Sequence, residues 1–445
     1  MITEAKKIHF VGIKGIAMAA LAVWAKEAGK VVTGTDVSEQ FPSDEVLARV
    51  GISVDVGFDE KHIDQFRPDL VIYTGAHEGR DNTEVKRAKL KGIAVLPHGK
   101  ALGLAMEGKR QITVAGSHGK TTVTAMIAMI LTKAGLDPSY AVGSGMIAGL
   151  GLPGHFGRGE WFVAEGDEYV TDPGADLTPR FLWQNPEILV VTNIDLDHPD
   201  VYPNLDKITN AFQKLAKKSR TVIISSDDPK SASLSGRKVI AVRSKDTSGF
   251  HLSVPGQHNA LNAAFAATAA KAAGVPWEQS VKALSEFGGA KRRFEKIGER
   301  DGTVYYDDYA HHPAEITATL AAARGAFPNI RIIAVFQPHT YSRTKALMGD
   351  FARSFSDSDI VILTDIYASA REHDTMGISG QTLVSETKIH HKNVHFAKGK
   401  DEVQALLARL ALPGDVVFFM GAGDIGQWEK EIINKVTKRQ SNKTT

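Results

Sequence analysis

The chain has 445 residues, 43% of them hydrophobic and 23% charged, with 53 Lys and Arg against 51 Asp and Glu. That length suits about three domains at roughly 150 residues each, and a net charge near +2 excludes the basic field of a nucleic-acid binder. With no cysteine in the sequence, disulfides, thiolate zinc sites and a cysteine nucleophile are excluded too.

The opening MITEAKKIHFVGIKG carries no apolar signal region, and no run is long enough to span a bilayer, so the expectation is a cytoplasmic protein with no membrane partner. KIHFVGI predicts a strand and AMAALAVWAKEAG a helix closed by Gly29; KVVTGTD and SDEVLARVG repeat the pair, and DLVIYTGA and IAVLP continue the series. Such alternation argues a parallel, doubly wound sheet. The turn 12-GIKGIAMAA-20 looks like a dinucleotide loop, with Gly12, Lys14 and Ala17 in the pattern and Gly15 between. Asp36 ends the second strand, where folds of this kind hold a ribose. Lys14 adds a charge suited to a diphosphate.

A second unit opens at 111-QITVAGSHGKTT-122 and runs through WFVAEGDE and EILVVTNIDLDH to TVIISSDD. In its first turn Gly116 and Gly119 allow tight backbone. Ser117, His118 and Thr122 complete the loop, Lys120 supplies a point charge for β- and γ-phosphates, and Thr121 offers a hydroxyl to Mg²⁺. The match to G-x-x-x-x-G-K-[ST] is incomplete, since the first glycine falls at Val114. Candidate ligands follow the next two strands: Glu165, Asp167 and Glu168, then Asn193, Asp195, Asp197 and His198. Strand ends of this kind face the crevice where α/β proteins bind ligands, and Mg²⁺ takes oxygen ligands. The helix 256-GQHNALNAAFAATAAKAAGV-275 starts with His258, Asn259 and Asn262; composition favours Asn259 as its cap, while asparagine also matches an adenine edge.

The third unit reads TVYYDDYA, RIIAVFQPH, DIVILTDIYA and DVVFFMGAGDIG, after a linker at 294–300. Arg293 lies in 291-KRRFEKIG-298, placed to clamp an anion. Asp308 ends a strand, and Pro313 opens a helix. His339 and Arg343 share 336-FQPHTYSRT-344, where Arg343 suits a carboxylate. The terminal KVTKRQSNKTT is expected to be a frayed tail. The expected division is 1–107, 108–297 and 298–445.

In this order GSHGKTT, EGDEY, TNIDLDH, GQHNALNA, RRF, DDYAHHP, FQPHTYSRT and MGAGDIG resemble the Mur ligase family, from Ile8 to Gly426. The resemblance implies an α/β protein of three domains: a Rossmann-like domain for a UDP-sugar, a P-loop ATPase-like domain, and a Rossmann-like domain closing over ATP and amino acid. It implies ATP-dependent joining of L-alanine to the carboxylate of UDP-N-acetylmuramate through an acyl phosphate, in peptidoglycan synthesis. By family pattern Lys120 contacts the triphosphate within Gly116–Thr122. Thr121 and Glu165 hold one Mg²⁺, and His198 a second. His258, Asn259 and Asn262 match the adenine segment, while Arg293 and Asp308 match residues around ATP. His339 and Arg343 place a carboxylate, and Gly12, Gly15 and Asp36 meet the UDP end. The chain departs from the pattern at GIKG, where GIGG is usual, and at EGDEYV, which resembles a sibling joining UDP-N-acetylmuramate to a ready-made tripeptide in wall recycling. Two other classes compete. A P-loop regulator without acyl transfer has no use for DDYAHHP and FQPHTYSRT. An oxidoreductase built on residues 8–36 leaves the P-loop unexplained.

Overall fold

The computed structural model describes residues 1–368, 372 and 374–436. The chain forms two compact units, one of Met1–Ser253 with Asn259–Lys291, the other of Val254–His258 with the chain from Arg292 onward.

The first unit holds two sheets. Strands β1 (Lys7–Val11), β2 (Val31–Asp36), β3 (Ser53–Val56), β4 (Leu70–Tyr73) and β5 (Ala94–Pro97) are parallel in the order β3-β2-β1-β4-β5. The second sheet contains β6 (Arg110–Ala115), β7 (Ser139–Ala141), β8 (Gly154–His155) and β9 (Trp161–Gly166). The hairpin of β10 (Val170–Asp172) and β11 (Asp176–Pro179) stands outside it, and β12 (Ile188–Val191), β13 (Thr221–Ser225) and β14 (Val239–Val242) complete it. Its order is β14-β13-β12-β6-β9-β7-β8, parallel except for the β7–β8 pair. That order sets β9, β6 and β12 side by side, so the turns that follow them share one edge.

One core runs through both sheets. Phe10, Ile13, Leu21 and Trp24 pack in the same cluster as Ala141, Phe162 and Ala164, each fully buried Leu or Phe adding about 1.5–3 kcal/mol. The helix Ile16–Glu27 is therefore buried continuously from Met18 to Ala25 and lacks the polar face of a surface helix. The helix Leu205–Lys218 does have one: Ile208, Ala211, Phe212, Leu215 and Ala216 form its buried stripe, and Asn204 caps it by accepting from Lys207 N at 3.1 Å.

The second unit has β15 (Glu295–Arg300), β16 (Thr303–Asp308), β17 (Ile332–Phe336), β18 (Ile360–Thr364), β19 (Val394–Ala397) and β20 (Val416–Met420). Their order is β15-β16-β20-β17-β18-β19, with β15 alone antiparallel to its neighbour. The stretch expected to be a linker thus supplies an edge strand. Of the expected tail, Lys435 and Val436 end the helix Ile425–Val436, and 437–445 lie outside the described residues.

His155 ties three pieces of the first unit together. Its Nδ1 lies 2.6 Å from Glu27 Oε2 and its Nε2 3.1 Å from Asp137 Oδ1. The bond to Glu27 outweighs burial and raises the imidazole, whereas the carboxyl of Asp137 is lowered, chiefly by Arg158 N–H and then His155. A raised histidine adds stability that is complete below its unfolded pKa of about 6.5 and is lost as pH rises through the folded value. The partly exposed site limits this to about 1 kcal/mol. Denaturant melts of wild type should weaken between pH 6 and 8 relative to His155→Gln; parallel profiles would refute the bridge.

Candidate active site

Strand β6 runs into the loop 116–119, which opens the helix Lys120–Lys133. Gly116 has φ +136°, and a Cβ there would lie 2.1 Å from Thr192 Oγ1. No other residue fits, on conformation or on space. Gly119, at φ +82°, is the N-cap. The β12 turn braces the loop from the side: His118 N donates to Asn193 Oδ1 (2.9 Å), Thr192 Oγ1 to His118 O (2.6 Å), and Asp195 N to Ser117 Oγ (2.7 Å). The loop thus aims helix N–H groups at one spot, the arrangement that receives a phosphate.

Lys120 Nζ donates to Gly116 O (2.6 Å) and reaches Glu168 Oε2 (3.1 Å). Burial works against its charge, but Glu168, then Asp167 and Asp197, hold the ammonium above its usual pKa. Glu168 is wholly buried, and burial pushes its carboxyl up against the pull of Lys120 and His198. Tyr202 Oη holds the backbone O of Glu168 at 2.6 Å. Asp167 stays ionised: burial raises it, and Arg180 at 2.7 Å, with Lys120, more than reverses that.

The acidic residues sort into two groups. Thr121 Oγ1 donates to Glu165 Oε2 (3.2 Å), whose other oxygen accepts from Gly143 N (2.6 Å). Separately, Glu168, Asp197 and His198 bring one ligand atom each within 4.8 Å of one another. The expectation joined Thr121 with Glu165 and set His198 apart, and the geometry brings the first two together. It adds Glu168 and Asp197 beside His198, which the sequence marked only as acidic strand ends. Thr122 follows in the same helix turn, and Asn262 Oδ1 sits 2.7 Å from where a Cβ of Gly119 would be. Asn259 is not the cap: the helix begins two residues earlier, at Gln257.

At the first sheet, Gly12 (φ +80°) and Gly15 bracket the turn, and Gly15 is the N-cap of Ile16–Glu27. Asp36 is buried and committed to the protein: it accepts from Lys14 N (2.6 Å) and Val37 N (2.8 Å) and faces His77 Nε2 (3.4 Å). The sequence suggested that Lys14 offers its charge to the turn, and the structure shows that it does not. Its ammonium is taken by Val37 O, Glu39 O and Asp44.

In the second unit the strand ends of β16, β20 and β17 gather the remaining residues. Asp308 accepts from Ala310 N and Phe294 N, both at 2.8 Å, and burial raises it to about 6. Arg293 lies 3.8 Å from Glu315. Burial and the nearby Arg293 charge lower His258 to about 4, so it is neutral at pH 7. His339 stacks on Tyr367 (5.6 Å between rings, 17°), with Arg343 Nη1 3.4 Å from its Nδ1. Residues not singled out by sequence hold this face together. Arg292 Nε donates to Asp307 (2.9 Å) and its Nη2 to Gly421 O (2.7 Å), while Gln337 spans to Asp424 (2.6 Å) and Ile425 N (3.1 Å). Two adjacent arginines gave no signal as to which one faces inward.

Lys120→Ala should abolish binding of a fluorescent ATP analogue and, by leaving Glu168 buried without its ammonium, cost roughly 3–5 kcal/mol of stability. Adding Glu168→Gln should recover most of the stability and none of the binding. Undiminished nucleotide binding by either variant would remove the loop from the site.

Comparison with known proteins matches three family models in succession: the Mur ligase family catalytic domain over residues 7–110, the Mur ligase middle domain over 114–238 and the Mur ligase glutamate ligase domain over 292–423. A Desulfitobacterium hafniense protein named UDP-N-acetylmuramate–L-alanine ligase is 39% identical, over 94% of this chain and 97% of its own. A Gloeobacter violaceus protein of the same name is 37% identical over 96% and 95%. Among solved structures, the Thermotoga maritima UDP-N-acetylmuramate–alanine ligase superposes with TM-score 0.79 at 28% identity, covering 98% of this chain and 99% of its own. A Psychrobacter arcticus murein peptide ligase shares the fold at TM-score 0.73 and 22% identity, over 97% and 98%. With three family models in succession and relatives at 37% and 39% identity matched along nearly its whole length, the chain belongs to the Mur ligase family.

Proposed function

We propose that the chain is an ATP-dependent carboxylate–amine ligase that joins L-alanine to the carboxylate of UDP-N-acetylmuramate, in the cytoplasm, as a step in peptidoglycan synthesis. The observation that carries this reading is the name shared by relatives matched along nearly the whole chain. A free carboxylate resists an amine because oxide is no leaving group. Transfer of the γ-phosphoryl of ATP to a carboxylate oxygen gives an acyl phosphate and ADP. The amine nitrogen then attacks the carbonyl carbon, the carbon–oxygen bond to phosphate breaks, and phosphate leaves as the nitrogen loses a proton. No protein nucleophile is needed, and the work is positioning and charge neutralisation.

In this reading the loop Gly116–Thr122 takes the phosphates, with Lys120 on the β/γ end. The oxygen donors fit Mg²⁺, a hard cation that takes carboxylate oxygens and keeps waters: Thr121 with Glu165 for one ion, and Glu168 and Asp197, beside His198, for another. When bound, Mg²⁺ neutralises the triphosphate and draws charge from the transferring phosphoryl group. His258, Asn259 and Asn262 serve the adenine, and Arg293 and Asp308 serve the rest of ATP. His339 and Arg343 orient a substrate carboxylate, and Gly12, Gly15 and Asp36 shape the UDP end. The work divides over 1–107 for the sugar nucleotide, 108–297 for ATP and 298–445 for ATP and the amino acid together.

The stretch Glu165–Tyr169 keeps a second amine in play, the recycling tripeptide. Phosphate release should be measured with ATP, Mg²⁺ and UDP-N-acetylmuramate against L-alanine, L-serine, glycine and that tripeptide. L-alanine should give a kcat/KM at least tenfold above the others. Stimulation by the tripeptide alone would contradict the alanine assignment, and no release with any amine would contradict the ligase.

A further inference from the structure

Glu84 has no part in the reaction just described, yet it is wholly enclosed, at 0% exposure, in the first turn of the helix Thr83–Leu90. Four groups from three other segments converge on it. Thr35 Oγ1 donates at 2.6 Å and Asp59 N at 3.2 Å, while His62 Nδ1 lies at 2.7 Å and His9 Nε2 at 3.3 Å. His9 Nδ1 is in turn 2.9 Å from Thr33 Oγ1, on the same face of β2 as Thr35. Burial works to raise the Glu84 carboxyl, and the bonds from His9 and Thr35 outweigh it, so the group is held below its ordinary pKa. A carboxylate in such a place is costly unless fully bonded, and an apolar filling would hold the layers as well. Its worth lies in what it fixes.

Two routes lead from Glu84 to the same turn. Through Thr35 the route is short: the backbone O of Thr35 accepts from both Gly12 N (2.9 Å) and Ile13 N (3.1 Å). The second passes through the cap. Asn82 Oδ1 accepts from Glu84 N (3.0 Å), and Asn82 Nδ2 donates to His77 O (3.1 Å). His77 faces Asp36, which holds Lys14 N. The turn has little slack, since a Cβ on Gly12 would lie 2.4 Å from Thr74 Cγ2. We propose that Glu84 is a positioning residue, whose carboxylate through Thr35, and whose backbone N–H through Asn82, fix residues 12–14 in the shape that receives the diphosphate of the nucleotide sugar. This role rests on the reading of that turn as the UDP end.

The test is calorimetric binding of UDP-N-acetylmuramate, with steady-state kinetics and melting curves, on full-length wild type, Glu84→Gln and Thr35→Val. Glu84→Gln should weaken sugar-nucleotide binding at least tenfold and Thr35→Val at least threefold. KM for ATP should stay within twofold of wild type and kcat within threefold. Should Glu84→Gln fail to fold, the milder Thr35→Val decides. Folded variants that bind the sugar nucleotide within twofold of wild type would overturn the proposal, as would an equal loss of affinity for ATP, the mark of general loosening. Absence of binding by wild type would instead overturn the substrate reading, and this role with it.

Discussion

Lys120 and Glu168 meet at 3.1 Å with the carboxylate fully buried and the ammonium nearly so. Neither charge is stable there alone, because each has given up most of its water. The pairing therefore constrains everything around it. It requires the loop after β6 and the turn after β9 to lie side by side, which the strand order provides. It also requires the backbone of both to be held from outside. Thr192, Asn193 and Asp195 do this for the loop, and Tyr202 for Glu168. Around this pair the carboxylates of Asp167 and Asp197, set against the one guanidinium of Arg180, leave an excess of negative charge, the environment a divalent cation would neutralise.

Many of the charged and polar residues in this protein hold other residues instead of facing a ligand. Asp36 is spent on the backbone of the first turn, Arg292 on Asp307 and the glycine turn at Gly421, and Gln337 on Asp424. Preorganisation of this kind matters for chemistry that depends on placement, since misplacement by about an ångström can cost two orders of magnitude in rate. Both units follow the same plan, with parallel strands ending in polar turns and a rigid apolar sheet beneath them.

The sequence was most legible where residues repeat a strong physical pattern. Runs such as ILVV, TVIIS and VVFFM are buried along their whole length, and a β-branched or aromatic run with turn residues on both sides reads as a buried parallel strand. The strand SVDV is mostly exposed and SYA has three residues, so neither offers a hydrophobic signal. Glu295–Arg300 was hidden by its charges, which are those of an exposed edge. In the site, Lys120 and Thr121 stood out because the loop fixes their spacing along the chain, whereas Glu165 was one of several acidic residues at strand ends and only the family resemblance singled it out. The partnership of Glu168 with Lys120 could not be read, for it spans 48 residues and depends on which strands are neighbours. Lys14 misled for a related reason: its ammonium turns back to carbonyls at 37 and 39, a contact that no local pattern records.

The central claim is that the carboxylate is activated as an acyl phosphate, with the amine displacing phosphate. The most direct measurement uses UDP-N-acetylmuramate labelled with ¹⁸O in its carboxyl group, turned over with ATP, Mg²⁺ and L-alanine, with the phosphate examined by ³¹P NMR. The account predicts one ¹⁸O atom in each phosphate released, because the oxygen that attacks phosphorus departs with it. Unlabelled phosphate from a reaction that still forms the amide would contradict it.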